Sequence, residues 1–234
     1  MNYGKGDANQ PLFSLGVKEA KRNIDLCIDE GINLIDTSDG YAKGASEEIL
    51  GDAIKDKRED LLIASKVWNP MGEGPNDIGL SRYHIISACE ASLKRLQTDR
   101  IDVYLAHKWD GMTPIEEIVE AFDSLIRTGK VRYIGCSNFS GWHLMKSLSA
   151  ADRANRERFV CQQIHYSLQS REAENELIPI GISENIGTLV WSPLAGGLLT
   201  GKYKRGEAGP EGSRHFERKW KNPPIYDEEK LYNI

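Results

Sequence analysis

Asp36, Lys66, His107, the Ser137-Asn138 pair, Gln163 and the Trp191-Ser192 pair each stand where a short apolar run gives way to polar sequence, and Tyr41 lies in the loop just after Asp36. Strands that simply stop where polarity begins would account for one or two such residues. They account less well for an aspartate, a lysine and a histidine each terminating a strongly apolar run, because isolated buried charges are costly. As neighbours, Asp36 and Lys66 would neutralise each other. A tyrosine hydroxyl is a weak acid at neutral pH, and a nearby ammonium stabilises its phenolate and lowers its pKa. A carboxylate would hold the lysine, and a neutral imidazole would orient a substrate oxygen. Together these groups suit the delivery of a proton to a carbonyl oxygen as it becomes an alkoxide. No nucleophile or metal cluster accompanies them, so the electrons for such a reaction must come from a cofactor.

The elements that position these residues follow from the periodicity. Ile32 to Ile35, Leu61 to Ser65, Ile101 to Ala106, Val131 to Gly135, Phe159 to Cys161 and Thr188 to Trp191 read as buried strands. Amphipathic segments alternate with them: Val17–Glu30 closed by Gly31, a helix opening at Ser46-Glu47-Glu48, one beginning at Ser81, and one from about Ser140 to Ala151. Thr113, Pro114 and Glu116 predict a capping box ahead of the stripe Ile115, Ile118, Val119, Phe122 and Leu125. A less regular helix over about Ala173 to Glu184 carries Pro179, which predicts a kink. A further helix is expected at Asp227 to Ile234. The regular βα alternation admits a doubly wound open sheet or a (β/α)8 TIM barrel. No GxGxxG follows the first strand and the units are of near-constant length, so the expectation is an α/β barrel, incomplete, with six βα units visible in one domain over residues 1–234. In a barrel the strand-end residues converge on one mouth.

Bulk properties exclude several functions. The chain is 40% hydrophobic and 28% charged with a net charge of −5 and no basic block, which argues against nucleic acid. No apolar stretch approaches the roughly 18 residues of a membrane helix, and the first residues lack the apolar core of a signal peptide. Cys27, Cys89, Cys136 and Cys161 form no CxxC pair and read as small core residues in a reducing compartment, so a cytoplasmic location is expected. His84, His143, His165 and His215 share no ligand spacing and are expected at the surface or in packing. GGLLTGKY, Gly196 to Tyr203, approaches a phosphate-binding P-loop, but Tyr203 stands where a Ser or Thr must meet magnesium.

GINLIDTSDGY followed by SEEILGDAI, LLIASKVW, IDVYLAHKWD, VRYIGCSNFS and WSPLAGGLLTGKY together resemble the aldo-keto reductases, in the branch with aryl-alcohol dehydrogenase-like enzymes and potassium-channel beta subunits. The resemblance covers about residues 14 to 230. It implies Tyr41 as general acid, with Lys66 and Asp36 depressing its pKa, and His107 orienting the carbonyl of an aldehyde or ketone. It further implies that Ser137, Asn138 and Gln163 hold the nicotinamide carboxamide and that Trp191 stacks on the ring. Ser192, Leu194 and Gly196 would lie along the pyrophosphate, with a long loop over residues 202–226 near the cofactor. Trp68, Asn69 and Trp109 are expected in the substrate wall. NADP(H) is the implied cofactor, with NAD(H) as the alternative, and a small carbonyl or alcohol the implied substrate, without nucleic acid or membrane. The oligomeric state is not fixed by this sequence.

Relative to that family, a first strand before the Val17 helix and the eighth strand beyond the last residues are expected to be missing. Strands one and eight would be neighbours, so their absence would leave two sheet edges unpaired. A piece of a longer reductase, a shortened relative completed by a partner chain, and an inactive copy are the three readings of this pattern. The first is preferred, and the alternative function is a cofactor-binding regulator.

Overall fold

The computed structural model describes residues 3–4, 15–207, 209–211 and 213. By its internal contacts the chain divides into two compact units, Met1–Gln162 and Gln163–Ile234. In the first, helix α1 (Val17–Asp29) is followed by β1 (Leu34–Asp36), α2 (Ala45–Ile54), β2 (Leu62–Val67), α3 (Arg82–Leu96), β3 (Ile101–Ala106), α4 (Ile115–Arg127), β4 (Val131–Ser137) and α5 (Gly141–Ala154). Strand β5 (Cys161–His165) begins at the end of this unit, and α6 (Leu177–Ser183) and β6 (Gly187–Trp191) belong to the second.

Strands β1 to β4 are parallel and adjacent in chain order. A doubly wound sheet would reverse its order at a switch point; none occurs here, and the alternation is that of an incomplete (β/α)8 barrel with six βα units present. Register runs through Asp36↔Ala64, Ala64↔Val103 and Val103↔Tyr133, and farther along through Lys66↔Leu105↔Gly135. The strands read as nearly continuous apolar runs because both faces are covered: Ile63, Ala64, Val67, Tyr104, Leu105, Ala106 and Ile134 are all buried. Each helix packs on the next, α1 on α2 through α4 on α5. The α2–α3 approach is close enough that a Cβ on Gly51 would lie 2.7 Å from the Arg95 and Leu96 carbonyl oxygens.

Several local expectations shift. Ile32 is exposed and precedes β1, which begins at Leu34. The capping box at Thr113 does not form: Pro114 is the N-cap residue of α4, and the Thr113 hydroxyl donates instead to Asp110, which also accepts from the Thr113 and Met112 amides. A capping box occurs at α5, where Ser140 and His143 cap reciprocally. Ser81 caps α3 through the His84 amide. Pro179 kinks nothing, because it falls in the first turn of α6, where its missing N–H has no intrahelical role. All four cysteines are free and three are buried. The expected helix at Asp227 to Ile234, His215, and most of the 202–226 loop lie outside the described residues. Among the described residues no helix is long and apolar enough to cross a membrane.

Candidate active site

Parallel register decides the first contact. Asp36 is paired with Ala64, and Lys66, two residues on, projects to the same face as Ala64. The Lys66 side chain is fully buried and reaches back to Asp36, donating to Oδ1 at 2.7 Å and Oδ2 at 2.6 Å. It also donates to the Thr37 carbonyl at 2.7 Å, and its Nζ lies 3.4 Å from the Tyr41 hydroxyl. A buried ammonium is tolerable only with such acceptors around it. Burial works against its charge, but Asp36 and Tyr41 together outweigh it and hold its pKa above the usual lysine value.

The loop carrying Tyr41 is pinned to β2. The Thr37 amide donates to Ala64 O at 2.8 Å and the Asp39 amide to Lys66 O at 3.3 Å, extending the β1–β2 ladder past the strand. Tyr41 then opens a 3-10 turn, Tyr41–Gly44, in which Ala42 and Lys43 both adopt left-handed backbone, φ 49° and 52°. Such conformations cost of order 1–3 kcal/mol each for non-glycine residues and persist where the surroundings dictate them. Here the two lie directly beside Tyr41.

The tyrosine's acidity departs from expectation. Burial raises the Tyr41 pKa and is the largest influence; Lys66 lowers it, but Asp36 and Asp39 add to the rise, and the net direction is upward. Lys66 therefore limits the rise rather than producing a depressed value. The physical reason is that the desolvation of a buried phenolate, with the negative charges of Asp36 and Asp39 close by, together outweighs the attraction of Lys66.

His107 follows β3, and its amide donates to Val67 O at 2.9 Å. Its ring meets the Tyr41 ring edge-on, with centroids 5.9 Å apart. Burial, with Lys66 and Lys108 nearby, pushes its pKa down to about 3, so the imidazole is neutral at physiological pH. The Nδ1 atom lies 2.9 Å from the Asn69 amide nitrogen and 3.2 Å from the Ser38 hydroxyl. Ser38 donates in turn to buried Asp39 at 3.0 Å. No periodicity marks these partners of His107; their one signal in the sequence is the Asp39-Gly40 turn, whose glycine admits Asn69 at close range.

The other expected residues fall as follows. Ser137, buried, ends β4, and Asn138, at φ 56°, donates to the His107 carbonyl at 3.1 Å and to Ser137 Oγ at 3.0 Å. Asn69 turns its amide to His107. The Lys108 ammonium sits 4.9 Å from the Trp68 ring centre. Trp109 stacks on His143 at 4.2 Å and meets Phe139 and Trp142 edge-on, in an aromatic cluster at the start of α5. In the second unit Gln163 is buried in β5, and Trp191, closing β6, stacks on His165 at 4.2 Å. Ser192 (φ 54°) and Gly196 (φ 67°) are left-handed, Leu194 is exposed, and Ala195–Thr200 forms a 3-10 segment. Among the described residues no group of three or more His, Cys, Asp or Glu could hold a metal ion.

Each unit, taken by itself, carries groups of the kind a nicotinamide cofactor requires. The Ser137 hydroxyl and the Asn138 and Gln163 amides can both donate to and accept from a carboxamide. Trp191 offers an aromatic plane, one face of it stacked on His165, and the backbone at Gly196 and Gly197 is left-handed, with the Lys202 side chain lying against Gly197.

A sequence model of the aldo/keto reductase family matches residues 12–231. The chain is 42% identical over 213 residues to a probable voltage-gated potassium channel subunit beta of Arabidopsis thaliana, covering 89% of this chain and 64% of that protein. It is 44% identical over 211 residues to YrpG, an uncharacterized oxidoreductase of Bacillus subtilis, covering 86% of this chain and 65% of that protein. A putative voltage-gated potassium channel subunit beta of Schizosaccharomyces pombe is 40% identical over 227 residues, with 90% and 65% covered. The chain thus spans just under two thirds of the length of these relatives.

Proposed function

The chain belongs to the aldo/keto reductase family, and from that premise we propose that it is a nicotinamide-dependent oxidoreductase reducing an aldehyde or ketone reversibly to the alcohol. The observation that carries the reading is the buried ammonium of Lys66, bound to both oxygens of Asp36 and 3.4 Å from the Tyr41 hydroxyl. Ser137, Asn138, Gln163 and Trp191 would hold the nicotinamide, with Ser192, Leu194 and Gly196 along the pyrophosphate; NADP(H) is the cofactor proposed. When bound, the cofactor supplies the hydride.

The chain's own groups then do the following. Tyr41 stays protonated through neutral pH and gives its proton to the carbonyl oxygen as negative charge develops there. The Lys66 ammonium, fixed by Asp36 and Thr37 O, stabilises the phenolate left on Tyr41. Neutral His107 directs its distal nitrogen to the same oxygen and keeps the carbonyl in line. In alcohol oxidation the phenolate takes the proton back.

The test is consumption of NADPH by the purified protein with a panel of aromatic and aliphatic aldehydes, with alcohol formed in equal amount. No consumption with any of them defeats the proposal. A second reading, a regulatory protein that holds the cofactor as a ligand, is supported by the channel-subunit names of two of these relatives. It predicts quenching of tryptophan fluorescence by NADPH without turnover.

A further inference from the structure

We infer that Asn69, seated against Gly40, is a positioning residue that fixes His107 as the tautomer with its proton on Nε2. The inference rests on the reading of His107 as a group that donates to a carbonyl oxygen, because only a protonated Nε2 can do so.

Two side chains compete for His107 Nδ1, and they demand opposite tautomers. Ser38 has one hydroxyl proton and gives it to Asp39 Oδ1, at 3.0 Å. Toward Nδ1, 3.2 Å away, Ser38 can then only accept, which favours a proton on Nδ1. The Asn69 nitrogen, 2.9 Å away, can only donate, which favours a bare Nδ1 and leaves the proton on Nε2. Asn69 makes the shorter contact.

A second observation supports the same placement independently. Gly40 has ordinary helical backbone, φ −74°, so its conformation does not call for glycine. A Cβ there would fall 2.5 Å from Asn69 Nδ2, 2.6 Å from its Cγ and 2.7 Å from its Cβ. A missing methyl group at residue 40 is what allows Asn69 to lie against His107. Loops after three successive strands, carrying Ser38 to Gly40, Asn69 and His107, thus meet at one nitrogen atom.

The test is a long-range proton–nitrogen correlation spectrum of protein labelled with 15N-histidine, His107 being assigned by its loss in His107→Asn. Wild type is expected to show His107 with a protonated Nε2 and a bare Nδ1. In Asn69→Ala the competition passes to Ser38, and the proton is expected to move to Nδ1. Gly40→Ala, which keeps every hydrogen-bonding group but displaces Asn69, is expected to move it in the same direction. Ser38→Ala removes the competitor and is expected to leave Nε2–H. Unchanged signals from His84, His143 and His165 report that each variant is folded. The kcat for aldehyde reduction is expected to fall about tenfold in Asn69→Ala, the worth of one well-placed hydrogen bond. A protonated Nδ1 in wild type, or Nε2–H persisting in both Asn69→Ala and Gly40→Ala, overturns the inference. Absence of all turnover would defeat the proposed activity while leaving the tautomer measurement to decide this one.

Discussion

Replacing Lys66 with methionine keeps an unbranched side chain of similar length in a buried site and removes only the ammonium. Its consequence can be worked from the geometry. A full phenolate on Tyr41 and the ammonium at 3.4 Å attract by about 5 kcal/mol at an effective dielectric constant of ~20. If the proton is about half transferred in the transition state, roughly 2.5 kcal/mol of that attraction is lost in the variant, a fall of roughly 50- to 100-fold in kcat. Both influences of Lys66 on Tyr41 act downward, so without them burial, Asp36 and Asp39 drive the phenol's pKa still higher. The stability cost should stay below the roughly 3–5 kcal/mol seen when a fully buried pair is broken. The reason is that Asp36 has 39% of its side chain exposed and regains water when its partner goes. The assay is steady-state aldehyde reduction at saturating NADPH, with a thermal melt alongside. A folded Lys66→Met protein within threefold of the wild-type kcat would refute the electrostatic role assigned to the lysine.

Further predictions follow from the same structure. Because Tyr41 sits above the ordinary tyrosine pKa, the rate of reduction should stay level from neutral pH to about 10; a fall between about 7 and 9 in the pH–rate profile would contradict this. Two buried groups should tilt acid stability in opposite senses. His107, lowered from 6.5 to about 3, contributes roughly 5 kcal/mol that is lost as pH falls between those values, since the unfolded chain takes up the proton first. Asp39, raised from 3.8 to about 6, contributes roughly 3 kcal/mol that is lost as pH rises over that range, since the unfolded chain ionises first. Urea melts from pH 4 to 6 should therefore show stability rising with pH in Asp39→Asn, falling in His107→Asn, and nearly flat for this pair in wild type. Arg95→Ala should destabilise by about 3–5 kcal/mol, because it strands fully buried Glu47, whose Oε2 accepts from Arg95 Nε at 2.7 Å; a melt within 1 kcal/mol of wild type would count against it. Gly51→Ala should cost about 1–3 kcal/mol by forcing α2 off the α3 backbone, read from the same melts.

Much of the frame was legible in the sequence because strand and helix periods differ and are strongly expressed here. The apolar run Ile101 to Ala106 coincides with β3 to the residue, and α1 begins where Val17 begins its period. The meeting of Asp36 with Lys66 could also be foreseen, since two opposite charges at the ends of adjacent buried strands have few other solutions. The electrostatic outcome could not. Whether the Tyr41 pKa ends above or below its ordinary value depends on how far burial, Asp36 and Asp39 outweigh Lys66, and that is a property of packing. The partners of His107 were hidden for a related reason. Ser38, Gly40, Asn69 and His107 come from three loops, and loop side chains carry no periodicity. Thr113-Pro114-x-Glu has the pattern of a capping box and does not act as one, because a nearby carboxylate, Asp110, engages the threonine hydroxyl in place of the helix amides.

The proton-donor role of Tyr41 is tested most directly by the single-turnover rate of aldehyde reduction in Tyr41→Phe, measured by stopped flow with the cofactor already bound. A loss of about 10²- to 10⁴-fold, with NADPH binding by fluorescence unchanged, is the predicted result. A Tyr41→Phe protein that reduces the aldehyde at the wild-type rate would contradict the account at its centre.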